Sequence, residues 1–366
     1  MIDYKRSKYK SKLAFHVRRL QRLPLELLLR TLVRWGPMKS YEPGYTVIIA
    51  CNYTLRTILD TVLQLIVRQD TDNLKELMIA FELTEAQLPE SFRREIKERY
   101  PSLPITFITY TPMQSFWARA IDWPWLYSWM SWCKGIARCR TRYVLIHDFD
   151  ALPIRRDFYE ERYRLINELG PTFLGVSPYL SNGIVAEDGF ASTWELMIDI
   201  QAIRARFRPI EIFNRIGRLD DRLVEFDTFL YAEWKVGSTL MLPVEQPADL
   251  VHLGQVISQH VQVLNGRQKV AECLLFIPYM MYVAGSGEAM RRTTGALEAG
   301  KWPMIEYFGK PVEMSRLDRE LADWMALLAE QVERTLAGEV RPEAREYFSA
   351  IRNFADSHQP AVISSR

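Results

Sequence analysis

Tyr143-Val144-Leu145-Ile146-His147-Asp148-Phe149-Asp150 is the stretch on which the fold turns. Its apolar, β-branched-rich start reads as a strand buried on both faces of a parallel sheet. The strand runs straight into two carboxylates. In open α/β sheets ligands sit just beyond the carboxyl ends of strands, so acids there stand where chemistry is done. The upstream chain supports this reading. Thr46 to Ala50, Leu77 to Phe81 and Ile105 to Thr109 are three further strands. Leu55 to Arg68 is a helix with Ile58, Leu59, Val62, Leu63 and Ile66 recurring at three and four, and Glu90 to Tyr100 and Trp125 to Arg138 are helices as well. The order β-α-β-α-β, then helix and strand, is that of a Rossmann-like α/β sheet.

Downstream of the acids the pattern changes. Thr172 to Val176, Leu240 to Leu242 and Leu250 to Leu253 read as short strands, Asn182-Gly183 as a turn, and Thr193 to Phe207 as a helix. From Val261 the chain reads as mostly helix. Ser315 to Leu336 is the clearest case, with Ser315 and Asp318 in a start-cap pattern. Gly285-Ser286-Gly287, from its glycines, reads as a loop able to order over a bound ligand. The expected organisation is a basic arm over 1–40, a catalytic domain over 41–255 and a mostly helical region over 256–366.

Composition narrows the class. The 366 residues are 48% hydrophobic and 25% charged, normal for a globular chain with a real core. Net charge is only +2, but residues 1–40 hold eleven Lys or Arg against Asp3 and Glu26. That local excess of +9 precedes a mildly acidic body. Over residues 8–35, Leu13, Val17, Leu20, Leu27, Leu28, Leu32 and Trp35 form an apolar face beside Arg18, Arg19, Arg22, Arg30 and Arg34. Such a segment suits an anionic membrane surface, or packs on the body with a solvated basic face. No nucleic-acid motif accompanies the arm, so nucleic acid is not the expected partner. No apolar run is long enough to span a bilayer, and no signal-peptide pattern is present. Cys51, Cys133, Cys139 and Cys273 contain no C-x-x-C pair and read as buried thiols of a reduced, cytoplasmic protein, with the inner face of the membrane as the alternative location. Trp125, Trp129 and Trp132 share helical spacing, which points to core packing.

Asp148 and Asp150, one residue apart past a buried strand, suit a hard divalent cation. Mn²⁺ and Mg²⁺ take carboxylate oxygens together with substrate phosphates, and the cation would neutralise a diphosphate leaving group.

Tyr45 to Tyr53 with the Leu59-Asp60-Thr61-Val62-Leu63 helix, followed by Lys134 to Asp150, resembles the family-2-like GT-A glycosyltransferases over about residues 45–155, and more loosely over 156–255. The resemblance implies a GT-A fold: a Rossmann-like, mixed central sheet flanked by helices. It also implies transfer of a sugar from a UDP- or GDP-sugar to a glycan or lipid-linked acceptor. Asn52 and Tyr53 would then meet the nucleotide, Glu82 the nucleoside, Lys134 the donor diphosphate and Asp148 the ribose or the metal. Asp150 would bind the metal, joined by a late histidine, His252 first and His260 second. Asp227, with Glu225 in reserve, would be the general base, and Trp194 would touch the acceptor. The sequence departs from that family where Glu225-Phe226-Asp227 replaces its usual Glu-Asp pair.

Two rivals share some of these features. In a haloacid-dehalogenase-type phosphohydrolase Asp148 would be the nucleophile. Against it, Ala151-Leu152-Pro153 follows the acids where that family has Thr or Val, the acids lie far along the chain, and Asp220-Asp221 poorly substitutes for its later acid cluster. A non-catalytic nucleotide-sugar or glycan-binding protein would keep the fold without turnover.

Overall fold

The computed structural model describes residues 2–267, 277–300, 304–313 and 319–357. Cys273, Ser315 and Asp318 lie outside them. In chain order the elements are α1 (Lys12–Leu32), β1 (Glu42–Cys51), α2 (Arg56–Ile66), β2 (Leu74–Thr84), α3 (Glu90–Arg99), β3 (Ile105–Tyr110), α4 (Pro112–Ile121), α5 (Pro124–Arg138) and β4 (Thr141–Asp148). Then come β5 (Leu152–Pro153), α6 (Phe158–Leu169), β6 (Phe173–Gly175), β7 (Glu195–Asp199), α7 (Ile200–Arg206), β8 (Arg215–Leu219), β9 (Arg222–Phe226), α8 (Leu230–Val236) and β10 (Thr239–Met241). The last stretch holds β11 (Leu250–Val251), α9 (Val256–Leu264), α10 (Ile277–Ala284), α11 (Gly287–Glu298), β12 (Met304–Tyr307), β13 (Lys310–Glu313), α12 (Arg319–Thr335) and α13 (Pro342–Ser357).

These elements divide into two compact units. The first comprises Met1–Thr54, Asp70–Phe149 and Asp157–Val244; the second Leu55–Gln69, Asp150–Arg156 and Glu245–Arg366. The first is built on a seven-stranded sheet of order β10-β6-β7-β4-β1-β2-β3. β3, β2, β1 and β4 run parallel, the 3-2-1-4 half of a doubly wound sheet. β7 is antiparallel to both β4 and β6, which makes the sheet mixed, as the resemblance implies.

Both faces of the sheet are covered. Ile48, Met78, Val144, Ile146, Leu196 and Ile198 share a core with Trp129, Met130, Cys133 and Ile136 of α5. The alternate residues Val47, Ile49, Leu77, Ile79, Leu145 and Met197 are fully buried as well. Two covered faces explain the unbroken apolar runs. Cys51, Cys133 and Cys139 are buried thiols, as expected. Of the tryptophans expected in the core, Trp129 and Trp132 are there, but Trp125 is 45% exposed. It stands on the first turn of α5, ahead of the stretch that meets the sheet.

Other expectations need correction. Thr193 to Phe207 is not one helix: Glu195–Asp199 is strand β7, and helix begins only at Ile200. All five strand residues are buried between β4 and β6, so the alternation that marks a half-exposed strand is erased. Among the described residues the region after Val261 is mostly helix, as read, with one β-hairpin, β12–β13. The apolar residues of α1 also do not share one face. Phe15, Leu29 and Leu32 are buried with Arg22, while Leu13, Val17, Leu20 and Leu27 face outward.

The second unit is largely helical. In it Thr61 of α2 donates to the Val283 carbonyl of α10 at 2.9 Å, and Ser286 caps α11 by accepting from the Ala289 amide at 3.1 Å. Gly285-Ser286-Gly287 is thus the start of a capped helix. Among the described residues no helix is long and apolar enough to cross a membrane.

Helix α5 approaches β1 so closely because residue 135 is glycine. A Cβ there would lie 2.5 Å from Ile48 Cδ1, inside a full core. Gly135→Val is therefore expected to destabilise by about 1–3 kcal/mol through overpacking, read as a lower urea midpoint at unchanged m-value. Adding Ile48→Ala should recover part of that loss, and strictly additive losses would contradict the close approach.

Candidate active site

The parallel register of β1 and β4 sets Ala50 opposite Asp148. The carboxyl edge of the first unit therefore carries, on neighbouring strands, Asp148 at the end of β4, Asn52-Tyr53 just past β1, and Glu82 near the end of β2. Helices change sides of such a sheet between these two central strands, and the crevice left there is where ligands bind in this architecture.

The geometry around Tyr53 is held by Glu82. Both carboxylate oxygens of Glu82 accept the Tyr53 amide at 3.1 Å. Burial raises the Glu82 pKa, opposed by these backbone hydrogen bonds. The Tyr53 ring packs edge-on against Phe81 and Phe92, with centroids at 5.8 and 5.5 Å. Asn52 accepts from the Thr54 amide and hydroxyl at 3.0 and 2.5 Å, which fixes the turn after β1.

On its other edge β4 pairs with β7, and the antiparallel register sets His147 directly opposite Glu195. Both side chains are wholly buried, and His147 Nδ1 lies 2.6 Å from Glu195 Oε2. One residue on, the Asp148 amide donates to the Trp194 carbonyl at 2.9 Å. The half-buried Trp194 indole donates to Ser177 Oγ at 3.1 Å. A cross-strand polar pair thus sits immediately behind the acids. Sequence reading missed it because Glu195 was assigned to a helix; a histidine inside an otherwise apolar strand was the available signal.

In the second unit a short antiparallel ladder pairs Leu152 with Val251 and Pro153 with Leu250. It returns the chain so that His252, just past β11, meets Asp150, two residues before β5. His252 Nε2 lies 3.6 Å from Asp150 Oδ1, with the side chains only 11% and 7% exposed. The Tyr279 hydroxyl donates to the Asp150 carbonyl at 3.1 Å, and the His252 amide donates to Gln246 Oε1 at 3.1 Å, so both backbones are fixed. Asp148 is two residues from Asp150 along the chain, a span of roughly 7 Å at most. Carboxylate oxygens with one imidazole nitrogen form a donor set suited to Mn²⁺, and less to Mg²⁺, which favours an all-oxygen shell. His260 is elsewhere engaged: its Nδ1 lies 2.7 Å from the Tyr307 hydroxyl, and burial lowers its pKa to about 4.

The remaining expected residues belong to other networks of the first unit. Lys134 donates to Gln114 Oε1 at 2.7 Å, and burial lowers its pKa to about 8. Asp227 Oδ1 accepts from Asn214 Nδ2 at 2.9 Å and from the Thr228 amide at 2.7 Å. Burial raises the Asp227 pKa against these hydrogen bonds and one from Tyr179. Glu225 pairs with the buried Arg22 of α1 and accepts from the Tyr9 hydroxyl at 3.0 Å. Arg22 also donates to the Asn214 carbonyl at 3.2 Å and lies over the Trp123 ring. The guanidinium read as part of an outward basic face is therefore an internal anchor.

No family model and no curated protein matches the sequence. Solved structures it is similar to include glycosyltransferases. One is S. aureus TarS 1-349 in complex with UDP, at 12% identity and TM-score 0.37, covering 86% of this chain and 90% of that one. Another is the mannosyltransferase PcManGT from Pyrobaculum calidifontis in complex with GDP-Man and Mn²⁺, at 15% identity and TM-score 0.38, covering 94% and 95%. A third is the galactosyltransferase LgtC with donor and acceptor sugar analogs, at 15% identity and TM-score 0.32, covering 46% and 62%. The chain spans 55% of the longer TarS structure it matches. Likeness at this level identifies neither donor nor acceptor.

The buried pair behind the acids can be tested by itself. His147→Leu leaves a Glu195 carboxylate buried without its partner and is expected to cost about 2–4 kcal/mol in urea unfolding. A change below about 0.5 kcal/mol would show that the pair does not hold β7 to β4.

Proposed function

We propose that this chain is a metal-dependent glycosyltransferase, moving a sugar from a nucleoside-diphosphate sugar to an acceptor hydroxyl on a glycan or lipid-linked precursor. The observation that carries the reading is the Asp150–His252 pair at 3.6 Å, reached from the carboxyl end of the central strand that ends in Asp148. Asp148, Asp150 and His252 would hold Mn²⁺ or Mg²⁺, which when bound supplies positive charge to a diphosphate leaving group. Asn52 and Tyr53 line the nucleotide position in this reading, with Glu82 fixing the Tyr53 backbone and meeting the nucleoside. Lys134 would turn from Gln114 to the diphosphate. Trp194, tied through its carbonyl to the Asp148 amide, offers an indole face to the acceptor sugar.

Asp227 suits the general base better than Glu225. Its pKa is raised by burial, which makes it a stronger base than an ordinary aspartate, whereas the Glu225 carboxylate is committed to Arg22. A phosphohydrolase with Asp148 as nucleophile is disfavoured by the histidine beside Asp150. The second acid of that mechanism must hand a proton on and off, and a divalent-ligand arrangement serves it poorly.

Titration calorimetry with UDP and with GDP, in Mn²⁺ and in EDTA, tests the reading. Wild type is expected to bind one of the two only with metal, and Asp150→Ala or His252→Ala to weaken binding at least 10-fold. Asp227→Asn should keep that affinity while slowing transfer by roughly 10²–10⁴-fold. Metal-independent binding, or no binding of either nucleotide, would contradict the proposal.

A further inference from the structure

Helix α1 carries two apolar faces, and the protein covers only one. Phe15, Arg22 and Leu29 recur every seven residues and are buried. Roughly opposite on the helix, Leu13, Val17, Leu20 and Leu27 are 74%, 44%, 64% and 58% exposed. Leaving four large aliphatic side chains in water along one ridge wastes burial that they would otherwise gain, and such a ridge marks an interaction site.

A basic groove borders this ridge. Its volume is about 400 Å³, and it lies between α1 and the β8–β9 hairpin, where Lys12, His16 and Arg19 face Arg215, Arg218 and Trp234. The Arg215 guanidinium sits over the Tyr231 ring at 4.3 Å, so an aromatic wall rather than an acid positions it. No carboxylate lines the groove, and its four Lys and Arg side chains make no ion pair among the described residues. Of the nearby acids, Glu225 is taken by Arg22 and Tyr9, while the exposed Asp220 and Asp221 stand on the β8–β9 turn outside the groove lining, where Arg218 donates to the Asp220 carbonyl. Arg30 adds a further exposed cation on the same flank of the helix.

We propose that α1 and the β8–β9 hairpin form a docking surface for an anionic phospholipid bilayer. Leu13, Val17, Leu20 and Leu27 enter the boundary between headgroups and acyl chains. The groove cations take lipid phosphates. Charge selects this occupant. A second copy would set one segment of local charge +9 against another, and a nucleic acid would satisfy the cations while leaving the leucines in water. The basic amphipathic segment was legible in the sequence; the groove, and the division of α1 into a buried and an outward face, are properties of the fold. The proposal stands apart from the glycosyl-transfer reading and survives its failure.

The test is co-sedimentation of the full chain with vesicles of phosphatidylcholine alone, or with about one-third phosphatidylglycerol. Wild type is expected to bind the anionic vesicles, not the neutral ones, and to release as salt rises. Arg19→Gln with Arg218→Gln should lower partitioning roughly 20-fold or more, at about fivefold per cation. Leu20→Ser with Leu27→Ser should also lower it at least 10-fold, with an unchanged urea midpoint showing that the fold is intact. Equal binding to neutral vesicles, no binding to anionic ones, or leucine variants that bind like wild type would overturn the proposal. So would a wild-type dimer that Leu20→Glu converts to monomer.

Discussion

Strand β4 is gripped on both edges, and the residues assigned to chemistry hang from its end. Parallel pairing with β1 fixes how far the strand runs before the sheet stops, and so fixes Asp148 opposite Ala50, at the carboxyl edge. Antiparallel pairing with β7 fixes the other side through a ladder whose last buried rung is His147 against Glu195. A one-residue slip in either register would turn every side chain of β4 to the opposite face, and the two fully packed faces forbid that. The acids are thus placed by the core. A rigid strand can present a carboxylate to a ligand at constant position, which a mobile loop cannot do without ordering cost at each binding event.

Beyond Asp148 the control passes to a smaller device. Only two residue pairs form the ladder of β5 and β11, yet they decide that His252 reaches Asp150. The surrounding hydrogen bonds make up for the short ladder. The Tyr279 hydroxyl holds one main chain and Gln246 the other, while the Ile154 and Arg155 amides share the Asp249 carbonyl at 2.9 Å. Asp150 and His252 are held 3.6 Å apart and largely out of water, an arrangement that suits two ligands of one ion. In the proposed reading a divalent cation held there would add the positive charge that a diphosphate requires.

Much of the first unit was legible in the sequence because its parallel strands are apolar runs and its helices keep their spacing. The four strands read at Thr46–Ala50, Leu77–Phe81, Ile105–Thr109 and Tyr143–His147 all stand where the runs lie, each longer by one to six residues at its ends. Of the sheet's other strands, β6 and β10 stand where short strands were read, and what failed was β7. Glu195–Asp199 is buried on all five positions and contains a glutamate, so its only strand signal is a pairing partner nearly fifty residues earlier. Arg22 failed for a similar reason. Its charge read as solvated, whereas Glu225, some two hundred residues later, draws it inside. Long-range ion pairs leave no trace in local periodicity. The D-x-D and His252 were found as separate residues, but the ladder joining them is too short to announce itself.

The most direct measurement is anomalous diffraction at the manganese edge from crystals grown with Mn²⁺ and no nucleotide. The account predicts one strong peak within about 2–2.3 Å of both Asp150 Oδ and His252 Nε2, lost in Asp150→Ala crystals. A peak elsewhere in the protein, or none at this pair when Mn²⁺ is present in excess, would contradict it.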